Sequence, residues 1–129
     1  MSGQIQKEVI KEKTLSDKMH LMADTLRNAK IKQCKGKFYD PKNDSMCAYG
    51  VLGFMAGIPK EELKRNRFSQ VLKEYDLDLE ESMLAVNLPD RVDYPERKTS
   101  LFMSIFQMND KGYTFTEVAD QLDVWADNL

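Results

Sequence analysis

"SMCAYGVLGFMAGIP", residues 45–59, is the stretch on which the reading of this chain turns. It gathers Cys47, Tyr49, Gly50 and Gly53 into one apolar run and ends on Gly57 and Pro59. Two readings compete: a reactive site with Cys47 as nucleophile, or a buried helix. Helix signals surround the run. Ser45 or Asp44 can cap its start, Gly57 suits the left-handed position after a helix, and Pro59 prevents continuation. The expectation is a central helix over 45–56, notched by Gly50 and Gly53 so that another backbone can approach. Glycine inside a helix costs roughly 1 kcal/mol against alanine. Tight packing against the first or last helix would offset that cost.

Outward from this helix, apolar positions keep helical spacing. Thr14 and Asp17 have capping-box spacing, and Leu15, Met19, Met22 and Leu26 follow on one face, which predicts a helix over 15–28. "AKIKQCKGKFYD" at 29–40 alternates lysines with Ile31 and Gln33 around Gly36, which fits a short strand or small hairpin near 30–39. "DPKND" at 40–44 is a turn. Pro59 and the acids behind it start a helix in "PKEELKRNRFSQVLKEY". A shorter helix is predicted over 78–87, then a two-proline surface loop, "PDRVDYPERK". Thr99 or Ser100 caps "LFMSIFQMN". After a turn at Asn109–Gly112, Thr114 and Glu117 form a second capping box before a last helix striped by Phe115, Val118, Leu122 and Trp125.

The fold class is therefore mainly α: a bundle of about five or six helices, with at most one small β element. Residues 1–13 read as a flexible or partly helical N-terminal arm, and 14–129 as a single helical domain. A chain of 129 residues with 42% hydrophobic and 31% charged residues fits one core. No leader or membrane span is expected, because the longest apolar run is too short to cross a bilayer. With only Cys34 and Cys47 present, the chain suits the reducing cytoplasm rather than a secreted disulfide scaffold. The two cysteines can pair across the loop between them, though the pattern does not demand it. Together with His20 they fall short of a four-ligand zinc site, so neither metal nor cofactor is expected.

Three stretches carry a resemblance. "LRNAKIKQCKGKF" at 26–38 is similar to a pattern LRSGKYKQ-x-x-G-x-L. "MCAYGVLGFMAGI" at 46–58 resembles YCCLGVLCxLAGV. "IFQMNDKGYTFTEVADQL" at 105–122 resembles LxxLNDxGxSFxEIADxI. These motifs occur in that order in a family of small uncharacterised phage, prophage and bacterial proteins. The resemblance covers roughly half the chain and implies a phage or mobile-element context rather than an activity. Where the pattern has paired cysteines, this chain keeps only Cys47. Ala48 stands at the second cysteine position and Phe54 at the later one.

Several residues are candidates for function. Cys47 near a helix start, where the helix dipole favours a thiolate, needs a base. His20 is the only histidine, and Asp24, four residues on, could orient it. The competing reading makes Cys47 a small buried hydrophobe. Arg27, Lys30, Lys32, Lys35 and Lys37, with no acid among them and Tyr39 close by, form a candidate phosphate-binding stretch or the protected edge of a strand. "NDKGYTFTEVADQL" has the look of the first helix of a DNA-binding helix-turn-helix, but no basic recognition helix follows. Gly112, Thr114 and Glu117 are better assigned to turn and cap. Eight methionines fit an adaptable core or a groove for a partner helix. The leading expectation is a small non-enzymatic protein that binds another macromolecule, most simply a protein. A cysteine-dependent hydrolase or transferase and a nucleic-acid-binding accessory protein are the alternatives.

Overall fold

A computed structural model describes residues 14–65, 68–89 and 98–129. The N-terminal arm and most of the 89–98 loop lie outside these residues. The first helix among the described residues, α1 (Leu15–Asn28), starts at the expected Thr14–Asp17 capping box and buries Met19, Met22, Ala23 and Leu26. The last helix, α7 (Phe115–Asp127), starts at the Thr114–Glu117 capping box and buries Val118, Ala119, Leu122 and Trp125. The two stripes face each other, and this pair makes the most extensive contact between elements. The Trp125 indole N–H donates to the Asn87 carbonyl at 3.2 Å, tying α7 to the segment after residue 84.

Between these helices the structure departs from the sequence reading in four places. First, the central helix α2 spans Ala48–Met55 rather than 45–56, with Cys47 as its N-cap residue. Ser45 and Met46 are not helical but form β3, the middle of a three-stranded sheet ordered β1-β3-β2. Its neighbours are β1 (Lys32–Gln33), parallel, and β2 (Tyr39–Asp40), antiparallel. The expected hairpin around Gly36 is therefore absent as such: β1 and β2 flank a third strand and do not pair with each other.

Second, the helix expected from Pro59 onward is divided into α3 (Lys60–Leu63) and α4 (Phe68–Glu74). Third, the helix predicted over 78–87 is one turn, α5 (Leu79–Ser82), closed by an Asp78–Glu81 capping box. Ala85–Asn87 is instead β4, antiparallel to β5 (Lys98–Ser100). Ser100, of the two candidate caps, then starts α6 (Leu101–Asp110) by accepting from the Met103 amide.

Fourth, the glycine notch serves a different neighbour. A side chain at Gly50 would overlap the Phe38 carbonyl, and one at Gly53 would press on Leu63 and Val71 at 2.9 Å. The notch thus admits the segment leading into β2 on one side, and α3 and α4 on the other, rather than α1 or α7. Gly57 holds φ +107° beyond the helix end, as the C-cap reading requires.

One core runs through these elements. Val51 and Leu52 of α2 lie at its centre with Met19, Leu63, Ile105, Met108 and Val118, all fully buried. Buried tyrosines are satisfied: Tyr49 donates to the Phe102 carbonyl at 2.6 Å and Tyr75 to the Leu52 carbonyl at 2.7 Å. No helix among the described residues is long and apolar enough to cross a membrane.

Candidate functional site

Asn109, in the last turn of α6, holds the centre of the molecule together. The residue is 2 % exposed. Its Oδ1 accepts from the Ala48 amide at 3.0 Å and from Gln33 Nε2 at 2.8 Å, and its Nδ2 donates to the Cys34 carbonyl at 2.9 Å. Gln33 Nε2 also donates to the Tyr113 carbonyl at 2.7 Å. The next residue, Asp110, accepts from the Gly36 amide at 3.0 Å. A helix start leaves amide donors unpaired, and Cys47 supplies no side-chain cap to α2. Asn109 supplies that acceptor from another helix. One amide side chain thereby joins all three sequence stretches quoted above.

Beside this junction lies a cavity of about 140 Å³. Phe38, Tyr49, Phe68, Ile105 and Phe106 give its apolar walls, Cys47 contributes a thiol, and Lys37 and Asp110 stand at its charged margin. Its aromatic side is itself a cluster. The Phe68 ring meets Phe38 edge-on at 4.5 Å, Phe102 at 4.9 Å and Tyr49 at 5.3 Å between centroids. Such edge-to-face contacts fix ring orientation as well as burying area.

Cys47 is 6 % exposed. Burial pushes its thiol up to about 11, and the amides of Gly50 and Tyr49 offset only part of that. At neutral pH the thiol is therefore protonated and behaves as a small apolar group. The base expected for it is engaged elsewhere. His20 Nδ1 lies 2.6 Å from Asp123 and Nε2 lies 3.0 Å from Asp127, both on α7. His20 is not among the residues lining the cavity. The expected orienting residue, Asp24, pairs with Arg27 at 3.1 Å and not with His20. The structure thus assigns His20 and Asp24 to the α1–α7 seam and does not assemble them with Cys47.

The basic stretch also divides. Arg27 is committed to Asp24, Asp120 and Asp123, the last at 2.7 Å, so it belongs to the same seam. Lys30, Lys32, Lys35 and Lys37 are exposed on and around β1, which is an edge strand. Tyr39 donates to Asp44 at 3.2 Å, and its ring receives Lys60 at 5.5 Å. Among the methionines, Met19, Met22, Met46 and Met108 are core residues, whereas Met55 and Met83 are exposed. Gly112 holds φ +95° in the turn before Thr114.

Sequence reasoning missed Asn109 and Asp110 as a junction, taking both as turn residues, and missed the aromatic walls altogether. The one available signal was "ND" placed directly before a glycine turn at the end of an apolar helix. Comparison with protein-family models, with curated proteins and with solved structures gives no match to the chain.

Proposed function

We propose that this chain is a small non-enzymatic protein that binds another protein by receiving one of its large apolar side chains in the cavity beside Cys47. The cavity carries this reading. An apolar cavity of roughly this size takes one benzene-sized group. Both ends of the Asn109 amide already have hydrogen-bond partners, and the Cys47 thiol is uncharged, so the interior favours an apolar occupant. Lys37 and Asp110 at the margin suit the polar backbone that carries such a side chain. A buried aromatic or aliphatic anchor surrounded by polar contacts is the usual source of most protein–protein binding energy. The resemblance of the three sequence stretches supports extending the proposal to a phage or mobile-element setting, in the cytoplasm of a host cell.

The test fills the cavity. Ala48→Leu puts a larger side chain into it while keeping the backbone amide that Asn109 holds. A partner recovered by the wild-type chain from native extract is then expected to bind the filled variant at least about tenfold more weakly, with the fold retained by circular dichroism. Replacing the partner's inserted side chain by alanine should cause a comparable loss. Equal binding by the filled, folded variant would overturn the proposal.

A further inference from the structure

We propose that Cys34 and Cys47 form a redox-modification site, which a hydroperoxide converts into an intramolecular disulfide. The sheet register carries the inference. β1 and β3 are parallel with Gln33 opposite Met46, and the Cys34 amide continues the ladder by donating to the Met46 carbonyl at 2.9 Å. The residue that follows each strand is a cysteine, so the same register carried one step on sets Cys34 opposite Cys47. Directly opposed residues on neighbouring strands lie about 4.8 Å apart and project from the same face of the sheet. That spacing falls within the range of roughly 4.4–6.8 Å between Cα atoms that a disulfide spans.

A second contact brings the pair together independently of the register. Cys34 Sγ donates to the Lys37 carbonyl at 3.4 Å, and the Cys47 amide donates to the same oxygen at 3.2 Å. Both residues are free thiols, Cys34 partly exposed and Cys47 buried.

Exposure sets the order of events. The Cys34 sulfur, as thiolate, attacks the peroxide O–O bond, becomes a sulfenic acid and releases hydroxide, which leaves as water once protonated. Cys47 then gives up its proton, its sulfur bonds to the Cys34 sulfur, and the sulfenic oxygen leaves as a second water. The two thiols supply two electrons and the peroxide is reduced. Being partly exposed, the bond is open to reduction by small thiols, as a reversible modification requires. The site does not depend on what the cavity binds.

The experiment treats the full chain with hydrogen peroxide and maps its peptides without reduction. A monomer lighter by two hydrogens, with the Cys34 peptide linked to the Cys47 peptide and both thiols restored by dithiothreitol, supports the proposal. In Cys47→Ala the Cys34 sulfenic acid should persist and be trapped by dimedone. In Cys34→Ser the Cys47 thiol should stay unmodified on the same timescale. Wild-type chain that yields Cys34 sulfinic acid beside an intact Cys47 thiol, that links only between chains, or that keeps both thiols would overturn it. None of these readouts involves a partner protein, so failure here leaves the cavity proposal standing.

Discussion

Asn109 Oδ1 caps the helix that begins at Ala48 from 61 residues further along the chain, with a hydrogen bond of 3.0 Å. The same oxygen takes Gln33, and the amide nitrogen takes the Cys34 carbonyl. Removing this side chain takes the partner from the buried Ala48 amide and the part-buried Cys34 carbonyl, each costing up to roughly 1–3 kcal/mol. Asn109→Ala is expected to destabilise the chain by about 3 kcal/mol in urea titration. Gln33→Ala should cost about 1 kcal/mol. Because the two side chains share one hydrogen bond, Gln33 Nε2 donating to Asn109 Oδ1, the double variant should lose less than the sum. Strict additivity would mean that the junction does not act as a unit.

Gly50 and Gly57 separate two reasons for glycine. Gly57 needs its positive φ of +107° but has open space where a side chain would stand. Gly50 has ordinary helical geometry, but a Cβ there would run into the Phe38 carbonyl. Gly57→Ala should therefore cost only about 1–2 kcal/mol of backbone strain. Gly50→Ala must displace a backbone segment and should cost about 3 kcal/mol or more. Thermal melts of the two variants decide this, and a milder effect at Gly50 would contradict the packing described.

These contrasts explain what could be read from the sequence. α1 and α7 were legible because their caps and apolar stripes are local: Thr14 with Asp17, Thr114 with Glu117, and side chains repeating every three or four residues. β3 was not legible, because Ser45–Met46 continues seamlessly into the apolar run of α2 and pairs with strands on both sides. Val86 carried the right hydrophobicity for the predicted helix, yet it is the one inward-facing residue of a three-residue strand. The cavity was least accessible to such reasoning. Phe38, Tyr49, Phe68 and Phe106 meet only once the chain has folded, and no spacing rule links them. Gly50 and Gly53 did announce close packing, but not the neighbour that provides it.

The His20 seam makes stability depend on pH. The Asp123 hydrogen bond raises the His20 pKa above its ordinary 6.5, with burial opposing and Asp127 reinforcing. Burial alone would lift Asp123, but His20 and Arg27 outweigh it and hold that carboxylate below its usual range. The folded chain therefore holds the His20 proton more tightly than the unfolded chain does. The resulting stabilisation is complete below pH 6.5 and is lost as pH rises through the higher folded value. Urea midpoints measured across this window should fall with rising pH in the wild type. His20→Gln should flatten the decline, whereas an unchanged slope would place its origin in other groups.

The two cysteines should differ sharply toward thiol reagents. Cys34 is partly exposed, while Cys47 is buried with its thiol at about 11. At neutral pH only ~1 in 10,000 Cys47 side chains would be ionised, and the thiolate is the reactive form. Native protein treated with an alkylating reagent such as iodoacetamide, which leaves no exchangeable sulfur on Cys34, is expected to label in two phases, a fast one lost in Cys34→Ser and a far slower one lost in Cys47→Ala. Denaturation should merge them. His20→Ala should leave the slow phase unchanged, because His20 is bound to Asp123 and Asp127 rather than to Cys47. If that substitution slowed Cys47, a base–nucleophile pair would exist after all, and the cavity would have to be reconsidered as a catalytic centre.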